Sequence, residues 1–178
     1  MSILVYVFFG NSYMERGVAV SDVLMFAETA LAVTLPDSSY FTNFMPTDEF
    51  REREDWYRPY HNALWDLFHT RGKHAAIEKQ AQWIVVALDE DGKYLGSALI
   101  VETRPIWYVH YVMAVLEFQR NGVGTAVMVR VMQEAHARDI PWVLLNCDPK
   151  KGLPAFYAKF GFRVIARLAI IGGGNGNN

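Results

Sequence analysis

The stretch VMAVLEFQRNGVGTAVM, residues Val112–Met128, decides how the rest of the chain is read. A β-branched, apolar run closes at Phe118, and Gln119-Arg120-Asn121-Gly122-Val123-Gly124-Thr125 follows. Val123, Val127 and Val131 then recur every four residues, with Met128, Met132 and Ala135 beside them, which is helical spacing. The segment therefore reads strand, glycine-bearing turn, helix. Such a turn gathers free backbone N–H groups at the positive end of a helix dipole, and glycines admit a ligand to the backbone. With the charge of Arg120, the product is a pocket for a phosphate or pyrophosphate.

Three readings compete for this turn. It is a tight strand-to-helix connection with a solvated arginine, a dinucleotide fingerprint, or a coenzyme A site. The dinucleotide reading needs a third glycine three residues after Gly124, where Val127 stands. It also needs further strands, and about 50 residues remain against typical domains of about 100 or more.

Gln119 to Gly124 fits the Q/R-x-x-G-x-G/A signature of the GCN5-related N-acetyltransferases, the GNAT superfamily. A second block, Ala155-Phe156-Tyr157-Ala158-Lys159-Phe160-Gly161-Phe162, resembles that family's late helix ending in Y-x-K-x-G-F. The resemblance spans roughly residues 82–168. It implies an α/β fold with a mixed, mostly antiparallel central sheet flanked by helices. It also implies acetyl-CoA as co-substrate and a primary amine, of a small molecule or of a protein, as acceptor.

Composition bounds what else is possible. The chain has 178 residues, 52% of them hydrophobic and 14% aromatic, with a net charge of −2. That suits one domain with a real core, read as residues 1–171 followed by a Gly/Asn tail over 172–178. Nothing in the charge argues for nucleic-acid binding. Cys147 is the single cysteine, so no intrachain disulfide forms, and a cytoplasmic setting is expected. Ile3–Phe9 is too short to span a bilayer and reads as a strand. The run from Val18 to Leu35 reads as a buried helix, with Ser21 capping a start at Asp22 and an end near Val33. Pro36-Asp37-Ser38-Ser39 is a turn.

Asp48 to about Gln80 is rich in helix formers, with breaks expected near Arg58-Pro59 and Arg71-Gly72-Lys73. Trp56, Tyr57, Tyr60, Trp65 and Phe68 either line an acceptor pocket or pack a core, and core packing is the simpler reading. Asp48, Glu49, Glu52, Glu54 and Asp55 alternate with Arg51, Arg53 and Arg58, as on a solvated helix face. Gln82–Leu88 and Tyr94–Thr103 are strands joined by an Asp-Gly hairpin, and Ile106–Leu116 is the next strand. The helix from Gly122 ends near Arg138-Asp139, before Pro141. Trp142–Asn146 is a buried strand, Asp148–Gly152 a loop, and Pro154 to Gly161 a helix with its cap. Phe162–Ile171 is one more strand.

Strand alternation groups Tyr108, His110, Val112 and Ala114 on one face. An amine of pKa near 10 must lose a proton before it attacks a thioester. His110 is the base candidate by placement, directly or through a water, or else a rim histidine bonded to the backbone. Tyr108 occupies another position where the family carries a polar group. By resemblance, Tyr157 protonates the departing thiolate, and a backbone N–H near Ala114 or Val115 holds the carbonyl oxygen where the strand bulges. By the same resemblance, Gln119, Arg120, Asn121, Gly122, Val123, Gly124 and Thr125 bind the pyrophosphate, and the strand ending at Asn146 splays to admit the pantetheine arm. Many relatives carry an asparagine where Lys150 stands, and a lysine there can reach a phosphate. His61, His69, His74 and His136 make no metal-ligand spacing with Cys147, so no metal is expected. The family ends in two strands where this sequence offers one. The last strand is then missing, or a second copy supplies it in a homodimer. A non-catalytic acyl-CoA-binding or protein-interaction module is the alternative to a transferase.

Overall fold

The computed structural model describes residues 22–29, 40–68 and 71–168. The expected strand at 3–9, the turn at 36–39, the tail at 172–178 and the outer parts of the 18–35 run lie outside these residues.

The elements follow in this order: β1 (Asp22–Glu28), β2 (Phe41–Pro46), α1 (Thr47–Glu52), α2 (Glu54–Phe68), α3 (Arg71–Gln80), β3 (Trp83–Leu88), β4 (Tyr94–Thr103), β5 (Ile106–Ala114), α4 (Val123–Ala137), β6 (Trp142–Cys147), α5 (Leu153–Ala158) and β7 (Arg163–Leu168). Short 3-10 turns precede α4 at Leu116–Phe118 and α5 at Pro149–Lys151. Seven strands form one sheet in the order β2-β3-β4-β5-β6-β1-β7. Every neighbouring pair is antiparallel except β5 and β6. This is the mixed, mostly antiparallel sheet flanked by helices that the resemblance implies.

Two apolar layers cover the sheet. On one face α4 brings Val123, Val127, Met128 and Val131 against Val85, Leu95, Trp107, Val109, Val143 and Leu145. On the other, α1–α3 bring Phe50, Trp56, Tyr60 and Leu64 against Ile84, Val86 and Leu99. Trp56 and Tyr60 are therefore core residues, whereas Trp65 is 45% exposed. The acids of α1 and early α2 are exposed, and Asp48, Asp55 and Glu54 pair with Arg51, Arg53 and Arg58, the last at 2.7 Å.

The helical reading of Asp22–Val33 is overturned over the described residues. Asp22–Glu28 is a strand whose Val23, Met25 and Ala27 enter the α4-side core. Leu, Met and Ala favour helices locally, but pairing on both edges, to β6 and β7, outweighs that preference. Position 22–28 fills the seat beside β6 that the sequence left to a missing strand or to a second copy. The edge strand β2 drew no expectation, because Phe41-Thr42-Asn43-Phe44-Met45-Pro46 carries no clean apolar alternation.

The break expected at Arg58-Pro59 lies instead at Arg53, between α1 and α2. Pro59 is inside α2 and deletes one backbone bond, while burial of Trp56, Tyr60, Ala63 and Leu64 on the sheet holds the helix through it. β5 stops at Ala114, and the chain turns into the 3-10 segment before α4.

Candidate active site

Parallel pairing between β5 and β6 runs from Ile106↔Trp142 to Val109↔Leu145 and stops. Beyond it the two strands part, leaving His110–Ala114 with no strand on that side. The glycine turn stands at the open end of this split.

The turn is shaped for an anion. Arg120 and Gly122 adopt left-handed conformations, at φ 65° and 90°. Gly122 occupies the N-cap position of α4, and no side chain caps the helix. Among the described residues, the N–H groups of Gly122, Val123, Gly124 and Thr125 donate to no acceptor, and the first bond of the helix is Ala126 N–H to the Gly122 carbonyl at 3.0 Å. Four open donors at a helix start, beside an exposed arginine, form a place where an anion can be received. Tyr40 braces the turn from outside, donating to the Asn121 carbonyl at 2.8 Å. Gln119 donates to Leu116 at 3.3 Å, and Asn121 to Phe118 at 3.4 Å, so these two shape the turn from within. A groove of about 250 Å³ between α2 and the Leu116–Phe118 turn borders this region, with Asp66, Lys93 and Glu117 on its rim.

The face grouping of β5 needs correction. Tyr108 and His110 stack at 4.5 Å between ring centroids. They share the α2-side face with Met113, but not with Val112 and Ala114, which pack toward α4. The cause is a bulge: Ser97 pairs with Met113 and Leu99 with His110, so one β4 residue faces two on β5. Tyr111, at φ 50°, absorbs the extra residue. The bulge expected near Ala114 or Val115 therefore lies at Tyr111–Val112. Val115 is removed from the carbonyl-holding role, because its N–H donates to Leu95 at 2.9 Å. Ala114 pairs opposite Gly96.

Burial disfavours the charged forms of Tyr108, His110 and Tyr157 at the split. Burial pushes the His110 imidazole down to about 4. Burial, then the nearby Asp22 carboxylate, push the Tyr108 phenol up to about 12. Tyr157 on α5 is 6% exposed, packs edge-on against Phe156, and is raised further by burial and by Cys147. Burial, with Asp22 and Asp148, pushes the Cys147 thiol up to about 11, so it is a small core residue and a poor nucleophile. Asn146 at the end of β6 lies near Tyr108 and lowers its pKa against the larger effect of burial. Both Tyr108 Oη and Asn146 Oδ1 are buried without a partner among the described residues. Lys150 is exposed, its N–H taken by Asp148 Oδ1 at 2.8 Å. Asp22 is the residue that sequence reasoning missed here, hidden by the helical reading of its strand.

Among the described residues no group of His, Cys, Asp and Glu is arranged to hold a metal ion. No described helix is long and apolar enough to cross a membrane.

Comparison with known proteins bears on the fold and the family. No curated protein sequence matches the chain. Among solved structures it is similar to an IAA acetyltransferase from Bacillus cereus ATCC 14579, at 16% identity and a TM-score of 0.58, covering 72% of this chain and 79% of that one. An acyl-CoA N-acyltransferase from Pseudomonas aeruginosa aligns at 13% identity and 0.60, covering 74% and 97%. An aminoglycoside acetyltransferase from an uncultured soil metagenomic sample aligns at 16% and 0.54, covering 72% and 95%. Against another GCN5-related structure the chain spans 50% of that protein's length. At such identities these likenesses establish the fold. The acetyltransferase (GNAT) domain family matches residues 57–170, and to that family, which works with acyl-CoA co-substrates, the chain belongs.

Proposed function

We propose that the protein is an acetyl-CoA-dependent N-acetyltransferase that passes an acetyl group to a primary amine by direct attack in a ternary complex. The uncapped start of α4, at the mouth of the β5–β6 split, carries this reading. Bound acetyl-CoA supplies an activated thioester. The N–H groups of Gly122–Thr125 and the charge of Arg120 hold its pyrophosphate, with Gln119 and Asn121 shaping the turn. The unpaired edge of β5 beyond Val109 and the end of β6 at Asn146 take the amides of the pantetheine arm, and Lys150 reaches a phosphate. Tyr157 gives its proton to the sulfur as the C–S bond breaks. A thiol of ordinary pKa near 8.5 asks only modest help from such a weak acid.

The aminoglycoside acetyltransferase among the similar structures favours a small-molecule amine over a protein amine as acceptor. A reducing, cytoplasmic setting suits the free Cys147 thiol. A second reading is a non-catalytic acyl-CoA-binding module. The burial of His110 favours it, since desolvation penalises the charged imidazolium that a base must become.

Calorimetric titration with acetyl-CoA, coenzyme A and NADH, on wild type and a Gly122→Trp, Gly124→Trp double variant, tests the reading. Micromolar acetyl-CoA binding, lost in the variant and absent for NADH, is expected. Folded wild type that ignores acetyl-CoA overturns it, and tight binding without turnover on any amine favours the binding module.

A further inference from the structure

β1 does more than complete the sheet. Val23, Met25 and Ala27 face α4, so alternation puts Asp22 and Leu24 on the opposite face. Leu24 pairs across from Asn146, and Val23 from Cys147, which sets Asp22 level with the end of β6. Tyr108 and His110 occupy the same face of β5. A half-buried carboxylate thus shares this face of the split with a buried phenol oxygen and a buried amide oxygen that lie near one another, both without a hydrogen-bond partner among the described residues.

We infer that Asp22, Asn146 Oδ1 and Tyr108 Oη form a three-acceptor cradle for a protonated primary amine, and that Asp22 takes its first proton. This rests on the transferase reading and names the acceptor class as a cationic primary amine. The chemistry of the cradle selects that class: an R–NH3⁺ group has three N–H donors and one charge. The cradle offers oxygen acceptors and one anion. An alcohol or a neutral amide brings no charge to balance Asp22.

Asp22 carboxylate accepts a proton from R–NH3⁺, leaving R–NH2 and a carboxylic acid. The nitrogen lone pair forms the C–N bond at the thioester carbon, and the C–S bond breaks. The second nitrogen proton replaces the one that Tyr157 passes to the thiolate, giving amide and free thiol. Asp22 then releases its proton to solvent. Burial and the neighbouring Asp148 raise the pKa of Asp22, which makes it a better proton acceptor than an exposed aspartate. The other ionisable groups that interact with it are Tyr108 on β5 and Cys147 on β6, and Arg167 on β7 is cross-strand to its neighbour Val23.

The test uses protein loaded with coenzyme A, so that it needs no turnover. Binding of n-butylamine and of n-butanol is followed by saturation-transfer NMR for wild type, Asp22→Asn, Asp22→Glu and the exposed hairpin control Asp91→Asn. Expected are butylamine binding at least tenfold weaker in D22N, partial recovery in D22E, wild-type affinity in D91N, and no comparable binding of butanol. Acetyl-CoA affinity should stay within about twofold throughout. In steady state, D22N should raise KM for cationic amines at least tenfold and remove the acidic limb of kcat/KM. Equal binding of butylamine and butanol, equal butylamine binding by wild type and D22N, or no butylamine binding at all overturns the cradle. Loss of acetyl-CoA binding in wild type would instead overturn the transferase reading.

Discussion

A methyl group on Gly96 would stand 2.7 Å from Cγ1 of Val123, closer than side-chain carbons approach. The same methyl would collide with the Met113 carbonyl oxygen. β4 and the first residue of α4 therefore touch because position 96 has no side chain. Gly96→Ala should destabilise the fold by about 1–3 kcal/mol, the usual cost of overpacking. It should also weaken acetyl-CoA binding, because α4 must move to relieve the clash. Urea denaturation and calorimetry measure the two effects, and a change under about 0.5 kcal/mol would contradict the packing argument.

Gly122 is needed for its backbone rather than for space. Its nearest neighbour to an added Cβ is Tyr40 Cε2 at 3.6 Å, an ordinary contact, but its φ is 90°. Gly122→Ala should cost about 1–2 kcal/mol of stability. Coenzyme affinity should fall at least tenfold as the four N–H groups lose their common aim. Gly124→Ala, at an ordinary helical φ with Phe156 Cζ 3.5 Å from the added carbon, should cost far less stability. Equal losses for the two variants would show that backbone strain is not the deciding term.

His110 makes stability fall in mild acid. Its pKa is about 4 in the fold, pushed down by burial, against about 6.5 when unfolded. The unfolded chain therefore binds the extra proton first. This contribution is fully present above pH 6.5 and is lost as pH falls toward 4, up to about 3 kcal/mol. Denaturation midpoints between pH 7 and 4.5 should drop more steeply for wild type than for His110→Gln. Parallel curves would mean that the imidazole charges in the folded state near its ordinary pKa.

Tyr157→Phe should lower kcat about 10- to 100-fold, leave KM for acetyl-CoA within about twofold, and change stability little. The ring is packed against Phe156 and Phe162, and phenylalanine keeps that packing. Steady-state kinetics decide the point: an unchanged kcat assigns Tyr157 to the core alone.

Local chemistry was legible wherever a short segment determines its own shape. The Asp-Gly hairpin at 89–93, with Gly92 at φ 78°, stands as the residues suggested, and so does the order strand, turn, helix over 112–128, with the strand ending at Ala114 rather than Leu116. What distant neighbours decide could not be read locally. Asp22–Glu28 has helical composition and becomes a strand because β6 and β7 flank it. Tyr111 carries no mark of a bulge, yet that one residue reverses the facing of Val112 and Ala114. Gly96 sits inside a strand, and its necessity appears only when α4 is seen lying on it.

The place of β1 also governs the order in which the molecule can be assembled. β1 pairs with strands that come far later in the chain; Met25 meets Cys147, 122 residues downstream. The hairpin β3–β4, and β5 after it, form from near neighbours, while β1 closes one of the longest loops in the fold. During synthesis β1 leaves the ribosome early and must wait for β6 and β7 before its edges are satisfied. The β1 end of the split is thus the last part of the sheet to form, completed only once β6 and β7 have been made.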